Sequence, residues 1–492
     1  MRPVGYSPHP RRSHPVTIFF SLGRVLYLIV IPILRGVIIS LQGGIVTWAS
    51  GAWLDSLILV FMLAFAFMSW RRCTYECTPE YLSVKRGVFF SRRTCIPWEH
   101  ISALSCTSPL LLRPLRASIL SAGTIAGSPH RPDMSLYIHT ISARGILEIF
   151  RNKNPQTDSL MTAPTGHYAP KAASIAAFAL LSSNTPAGII FLATFISQAG
   201  RILGREFPEM IFGTFEMISR EFAMGIPPAA AAIAYALLLG WFTALLLIIT
   251  RYHKLTVWEQ NAKISVSAGL LTRRAYVVSK SHIHFIDIRQ TIGTLLLRLH
   301  TMYIQAPGYA SKKDDISCLI SAKKKSDFMR VYEDFFPDYM PAERQLKPAR
   351  RGILGYVWQP LLLCAAMIAA AVLLYLHFPP VRDFILFASL MSLVPGLLFL
   401  AVRLADFRSG GIARQNGAYT LRYSRGMRMH TVIAPEKNIA KITLRQSPMQ
   451  RWRGRCNLTM RTMGVRGVRG ARHICRNMIR DQILDMDLAG LG

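Results

Sequence analysis

The chain has 492 residues, 51% of them hydrophobic, yet its formal charge is +32. That length points to several domains rather than one soluble core. So basic a chain that is also this apolar fits a protein held at an anionic membrane face better than a nucleic-acid binder. In chain order, residues 1–24 read as a basic tail with an interfacial entry helix. Residues 25–70 form a transmembrane hairpin, with spans at 25–41 and 53–70 of about the 20 residues a bilayer core requires. Residues 71–165 form a first β-rich domain. A second hairpin follows at 172–250, with spans at 172–197 and 229–250. Its outer loop, 198–224, repeats apolar residues at helical spacing among charges, as a surface-lying amphipathic helix would. A second β-rich domain covers 251–340. The third hairpin, 353–402, has spans at 353–378 and 384–402, and a third β-rich domain fills 403–488. The expected fold is therefore an α+β membrane protein with six spans and three β-rich domains. Arg2, Arg11, Arg12, Arg71, Arg72, Lys171, Arg251, Lys254, Arg350, Arg351 and Arg403 fall on one side of those spans. The positive-inside rule places both termini and all three domains in the cytoplasm. The eight cysteines show no metal or disulfide spacing and read as small apolar fillers in a reducing compartment.

The three β-rich segments repeat one pattern. Tyr81-Leu82-Ser83-Val84-Lys85-Arg86-Gly87 alternates apolar and polar residues into a glycine turn, then Arg92-Arg93 leads to Ile96-Pro97. Lys263–Ala268 reaches Gly269 and then Arg273-Arg274. Tyr419-Thr420-Leu421-Arg422-Tyr423 reaches Gly426, followed by Ala434-Pro435. Arg289-Gln290-Thr291 and Arg445-Gln446-Ser447 each start six residues after a matched isoleucine; the first segment has Ser105-Cys106-Thr107 there instead. Leu110-Leu111-Leu112-Arg113 answers Leu295-Leu296-Leu297-Arg298, with Gly123 and Gly308 each ten residues past the arginine. Period-two alternation meeting glycine turns reads as hairpins. Apolar residues at helical spacing near 327–335 and 474–484 read as closing helices.

Strand, glycine, strand, basic pair, Ile-Pro, Arg-Gln-Ser/Thr and a later glycine, in series, resemble the bacterial pleckstrin-homology (PH) domain of the membrane-flanked, YdbS/YdbT-like type. The three-hairpin, three-domain layout resembles that family's three-repeat YdbT-like branch. The resemblance implies three PH-like β-barrels, each with a C-terminal helix, in a bacterial cytoplasmic membrane. It also implies a smaller PH-domain membrane protein of the same family as a candidate partner. It implies no established activity.

No P-loop, dinucleotide glycine fingerprint, Gly-x-Ser-x-Gly elbow or His-Glu-x-x-His motif occurs. The expectation is a protein that is not an enzyme, with no cofactor, no metal and no catalytic residue. His282 and His284 flank Ile283 on a strand, but nothing in sequence completes a metal site around them. The candidate contacts to anionic headgroups are Lys85, Arg86, Arg92 and Arg93; Arg273 and Arg274; and Arg422, Arg425, Arg428, Arg445, Arg451, Arg453, Arg455 and Arg461. Guanidinium forks suit phosphate. The leading expectation is a non-enzymatic scaffold whose domains bind the anionic inner leaflet or a partner membrane protein, with a role in envelope protection. The alternative is a transporter or export factor for lipids or membrane-active peptides.

Overall fold

A computed structural model of the chain describes residues 7–25, 52–127, 132–153, 166–182, 228–310, 315–379, 382–463 and 471–486. The chain begins with strand β1 (Ser7–Arg12), helix α1 (Thr17–Val25) and helix α2 (Ala52–Arg71). Strands β2 (Thr74–Cys77), β3 (Tyr81–Arg86) and β4 (Arg92–Pro97) follow. After a 3-10 turn at Trp98–His100 come β5 (Ile101–Pro109), β6 (Ala117–Thr124), β7 (Met134–His139) and helix α3 (Thr140–Asn152).

The second repeat copies this order. It holds β8 (Gly166–Tyr168), α4 (Ala172–Ser182), α5 (Pro228–Tyr252), β9 (Thr256–Gln260), β10 (Lys263–Ala268) and β11 (Thr272–Ser279). The turn Lys280–His282 leads to β12 (Phe285–Thr291), α6 (Ile292–Leu296), β13 (Leu299–Gln305), β14 (Cys318–Lys324) and α7 (Lys325–Phe335). The third has helices α8 (Leu354–His377) and α9 (Arg382–Ser409), then β15 (Gly411–Gln415), β16 (Ala418–Arg425) and β17 (Arg428–Pro435). The turn Glu436–Asn438 precedes β18 (Ile439–Arg445), α10 (Pro448–Trp452), β19 (Arg455–Thr462), β20 (Ala471–Ile479) and the short α11 (Arg480–Leu484).

Local chemistry explains the hairpins. At Gly87 (φ +124°) an added Cβ would sit 1.8 Å from the Phe90 carbonyl oxygen; at Gly269 (φ +115°) it would sit 2.0 Å from that of Thr272. Only glycine fits such turns. The 3-10 turns start from extended residues at Pro97, Ser279 and Pro435. Serine can take the backbone angles proline imposes, so the missing proline of the second repeat changes nothing here.

The repeats are not separate barrels. The sheets run β1-β2-β3-β4, β7-β6-β5-β11-β10-β9-β8, β14-β13-β12-β17-β16-β15 and β18-β19-β20. The second sheet of each of the first two repeats thus continues into the first sheet of the next, through β5 with β11 and β12 with β17. A strand in such a joint is buried on both faces, so it loses the alternation of a half-exposed strand. Ile101 to Cys106 are all buried, as are Phe285 to Ile288. Three main cores result, one per repeat, and joint residues feed them across the boundary: Val277 of β11 lies in the first core and Phe285 of β12 in the third. Each repeat also starts before its helical insertion. The segment 7–12, expected as tail, is an edge strand on β2, and Leu346 bridges to Ile412. The stretch 474–484 is mostly β20, with helix only from Arg480.

The expectation of six membrane spans is corrected. Among the described residues one helix, α8, is long and apolar enough to cross a membrane by length and composition. At 1.5 Å per residue it extends about 36 Å, against a hydrocarbon core of about 30 Å. The other apolar helices, Ser56–Arg71, Ala172–Leu181 and Leu238–Tyr252, are shorter over their described lengths. An apolar run records composition, whereas a span needs one continuous helix of about 20 residues. α9 is long, but its last turns pack into the third repeat. There Asp406 accepts from Ser424 Oγ at 2.7 Å, and Arg403 Nη1 donates to the same hydroxyl at 2.8 Å. Residues 26–41, 183–197 and the outer loop 198–224 lie outside the described residues.

Candidate functional site

The helices and the turns between strands meet at one end of each repeat. Arg72, just past α2, donates to the Val88 carbonyl at 2.5 Å. The Leu270 amide donates to Thr250 of α5 at 2.8 Å. Thr291 Oγ1 donates to Leu181 of α4 at 3.0 Å, and Arg455 donates to Arg351, ahead of α8, at 3.0 Å. The turns gathered there expose large apolar side chains: Phe89 is 79% exposed, Phe90 92%, Leu111 86%, Leu296 83% and Trp452 84%. Isolated exposed apolar residues need no explanation, but a repeated rim of them marks an interaction surface.

Part of the sequence pattern proves structural. Thr291 and Ser447 cap α6 and α10 with reciprocal capping boxes. Gln290 and Gln446 each donate across their hairpins, to Leu299 and Arg455 carbonyls at 3.0 and 2.7 Å. The strand register also corrects one alignment. Arg274 lies opposite Thr107, as His430 lies opposite Arg289. The counterpart of Arg289-Gln290-Thr291 in the first repeat is therefore Thr107-Ser108-Pro109, not Ser105-Cys106-Thr107.

The candidate basic residues divide. Lys85, Arg92 and Arg93 are exposed on β3 and β4, and Arg86 is half-buried. Arg93 pairs with Glu76 at 2.6 Å. Arg273 is exposed beside Leu270 and Leu271. Arg425 and Arg428 flank the β16–β17 turn, Arg451 and Arg453 flank Trp452, and all four are exposed. Arg445 is exposed at the end of β18. Three others hold structure: Arg274 lies 3.7 Å from Asp315, Arg422 donates to Ala342 at 2.7 Å, and Arg455 makes the contact above. Arg461 is half-buried opposite Lys441, away from the turns. The structure thus brings the turn arginines together with apolar tips and leaves Arg422 and Arg461 out.

The tips were visible in sequence as Leu110-Leu111 and Leu296-Leu297, beside arginine, but only as repeat markers. A polar cluster in the second joint left no such signal. Buried Asp287 accepts from Arg289 Nε at 2.5 Å, and His430 Nδ1, 143 residues away, lies 3.0 Å from its other oxygen. Burial alone would raise this carboxyl, but Arg289 and His430 hold it at about 2. The Arg289 guanidinium lies 4.1 Å from the Tyr303 ring centre. Behind it Tyr423 OH meets His473 Nδ1 at 2.9 Å, and burial pushes that imidazole down to about 4. His284 is buried and His282 half-buried, and among the described residues no three metal-ligating side chains converge. All eight cysteines are free thiols, and Cys95 alone among them is exposed.

The chain is 20% identical over 376 residues to the UPF0699 transmembrane protein YdbT of Bacillus subtilis (strain 168), covering 71% of this chain and 74% of that protein. No solved structure matches it. The family described as "Bacterial PH domain" matches residues 18–145 and 192–334, which cover most of the first two repeats. The third repeat lies outside that match, yet it repeats the same strand order around the same 3-10 turn. These two segments make up more than half of the sequence, and the chain belongs to the bacterial PH domain family.

Proposed function

We propose that the protein is a non-enzymatic, membrane-anchored scaffold whose PH-like repeats dock on an anionic leaflet through the rim of apolar turns and arginines. The observation that carries this reading is the joint placement of Phe90, Leu111, Leu296 and Trp452 with Arg92, Arg273, Arg451 and Arg453 at the helix-bearing end. Apolar tips enter the interface while guanidinium groups meet phosphates, the latter contributing about 1 kcal/mol each near a charged surface. The family membership and the likeness to a transmembrane protein support a membrane location. The positive-inside pattern supports repeats on the cytoplasmic side. A smaller PH-domain membrane protein is a proposed partner, and envelope protection the proposed role.

The test uses the full chain in nanodiscs, with a fluorophore on Trp452→Cys in a Cys95→Ser background. Quenching by spin-labelled lipid should be strong with anionic lipid. It should fall severalfold in neutral lipid, in high salt, or with Arg451→Glu and Arg453→Glu. A probe quenched only by aqueous iodide, whatever the lipid, would refute the docking.

A further inference from the structure

The three repeats use one joint twice, and among the described residues the first and third repeats carry the two halves of a third. In the first joint Leu104 lies opposite Val277 and the pairing runs to Pro109 opposite Thr272. In the second, Ile286 lies opposite Ile433 and the pairing runs to Thr291 opposite Arg428. Counted from the 3-10 turns, these registers are identical. β4 is the first repeat's counterpart of β11 and β17, and β18 is the third repeat's counterpart of β5 and β12. Both are edge strands among the described residues.

Their side chains carry the same signature. Cys95 holds the position of Val277 and Ile433; those two are fully buried, whereas Cys95 is exposed. Ile442 holds the position of buried Leu104 and Ile286 but is only half-buried. The turn residues agree. Asn438 donates across the second joint to the Ile283 and His284 carbonyls at 2.9 and 3.1 Å, and His282, at the same position of the first joint, is half-buried. The third residue of this set, His100, is exposed.

We propose that β18 of one copy adds to β4 of a second copy, head to tail, with Ile442 opposite Cys95. Open edges are templates for strand addition. Because the two surfaces differ, the contact is heterologous and builds a ring or a filament rather than a two-fold dimer. In this register Arg445 faces Arg92, and no acid stands where Asp287 links Arg289 and His430 in the second joint. Like charges directly opposite oppose pairing. The association is therefore weaker than the internal joints, and salt strengthens it, opposite to the salt dependence of arginine–lipid contacts.

The test is disulfide trapping in the full chain, in native membranes, with Ile442→Cys against native Cys95. Directly opposed residues lie about 4.5–5.5 Å apart in an antiparallel pair, within the span of a disulfide. Ser108→Cys with Arg273→Cys is the internal control. It is an opposed pair of the first joint, four residues along and so of the same hydrogen-bonding class, and it should close within one chain. Mild oxidation of the Ile442→Cys protein should give a reducible ladder of chain multiples. Differently tagged copies should be joined through Cys95, and the yield should rise severalfold with salt or with Arg92→Glu. Cysteines at Lys441 or Thr443, one residue out of register, should give at least fivefold less, and Cys95→Ser should abolish the ladder. If the control closes while Ile442→Cys stays monomeric, closes on itself, or joins a different protein, the head-to-tail contact does not exist.

Discussion

The two internal joints have the same backbone register and different chemistry. In the first, Leu104 and Val277 meet in an apolar core, and Gly123 lies against Gly308. In the second, the buried pair Ile286 and Ile433 gives way to Asp287, Arg289 and His430. Strand pairing and the 3-10 turn set the geometry; side chains set what each joint responds to. One joint depends on close approach, the other on ionisation.

The largest separation between them should come from Asp287→Ala. Removing the carboxylate leaves Arg289 and His430 facing each other in a buried site, and breaking a buried pair in this way costs roughly 3–5 kcal/mol. Hydrogen exchange on the solubilised chain should show the β12 and β17 amides opening about a thousandfold more often, with β5 and β11 unchanged. If both joints loosen together, they form one cooperative unit and the comparison fails.

Acid should sharpen the contrast next. His473 is held neutral by burial at about 4, against an ordinary 6.5. The unfolded chain therefore binds a proton between those values that the folded chain does not, and stability is lost as pH falls from 6.5 toward 4. Asp287, at about 2 against 3.8, adds a second loss as pH falls from 3.8 toward 2. Each tenfold difference in proton affinity between the folded and unfolded chain is worth about 1.4 kcal/mol, so the first loss amounts to roughly 3 kcal/mol. Exchange in β16, β17 and β19 should accelerate through the first window, and His473→Gln should remove that dependence. An acid response equal in the first repeat would contradict this assignment.

A smaller effect tests the first joint. A Cβ on Gly123 would lie 2.4 Å from the Gly308 Cα. Main chain cannot rotate away as a side chain does, so Gly123→Ala should cost about 2 kcal/mol, within the range for overpacking. Protease sensitivity should appear near β5 and β11 while β12 and β17 stay protected.

Much of this architecture was legible because hairpin strands announce themselves locally. Gly87 and Gly269, the Ile-Pro step and the capping Thr291 and Ser447 are short-range signals, and the equal spacing of Gly123 and Gly308 showed that two repeats correspond. That these glycines touch each other was not legible, since nothing local records that one repeat's sheet continues into the next. Asp287 and His430 meet through the same long-range pairing, so neither stood out. Arginine count did not tell which arginines face outward, because Arg274, Arg422 and Arg455 look like their neighbours until their partners fold beside them. The six-span expectation failed for a related reason: apolar composition does not distinguish a spanning helix from α9, whose end packs on a sheet.

The smallest expected change in stability comes from Lys263, on β10, and its value lies in its pH window. Its buried ammonium reaches across the first joint to the Phe150 and Lys153 carbonyls at the end of α3, 4.3 Å from the Phe150 ring centre. Cations suit a helix C-terminus, yet burial, with Lys153 adding to it, pushes this amine down to about 8. The unfolded chain, at about 10.5, holds a proton between pH 8 and 10.5 that the folded chain releases, so stability should rise with pH across that window. Lys263→Met loses the carbonyl contacts and also removes a desolvated charge while keeping the apolar stem. At pH 7 those changes nearly offset, and the net effect should stay within about 1 kcal/mol, as replacement of buried charges by apolar groups often does. The measurement is therefore the slope rather than the midpoint. Exchange in β5, β10 and β11 should slow, after correction for intrinsic rates, as the parent protein is taken from pH 8 to 10, and Lys263→Met should flatten that trend. An unchanged slope in the variant would show that Lys263 is already solvated through the joint, and that the first joint owes its closure to apolar contact and the paired glycines alone.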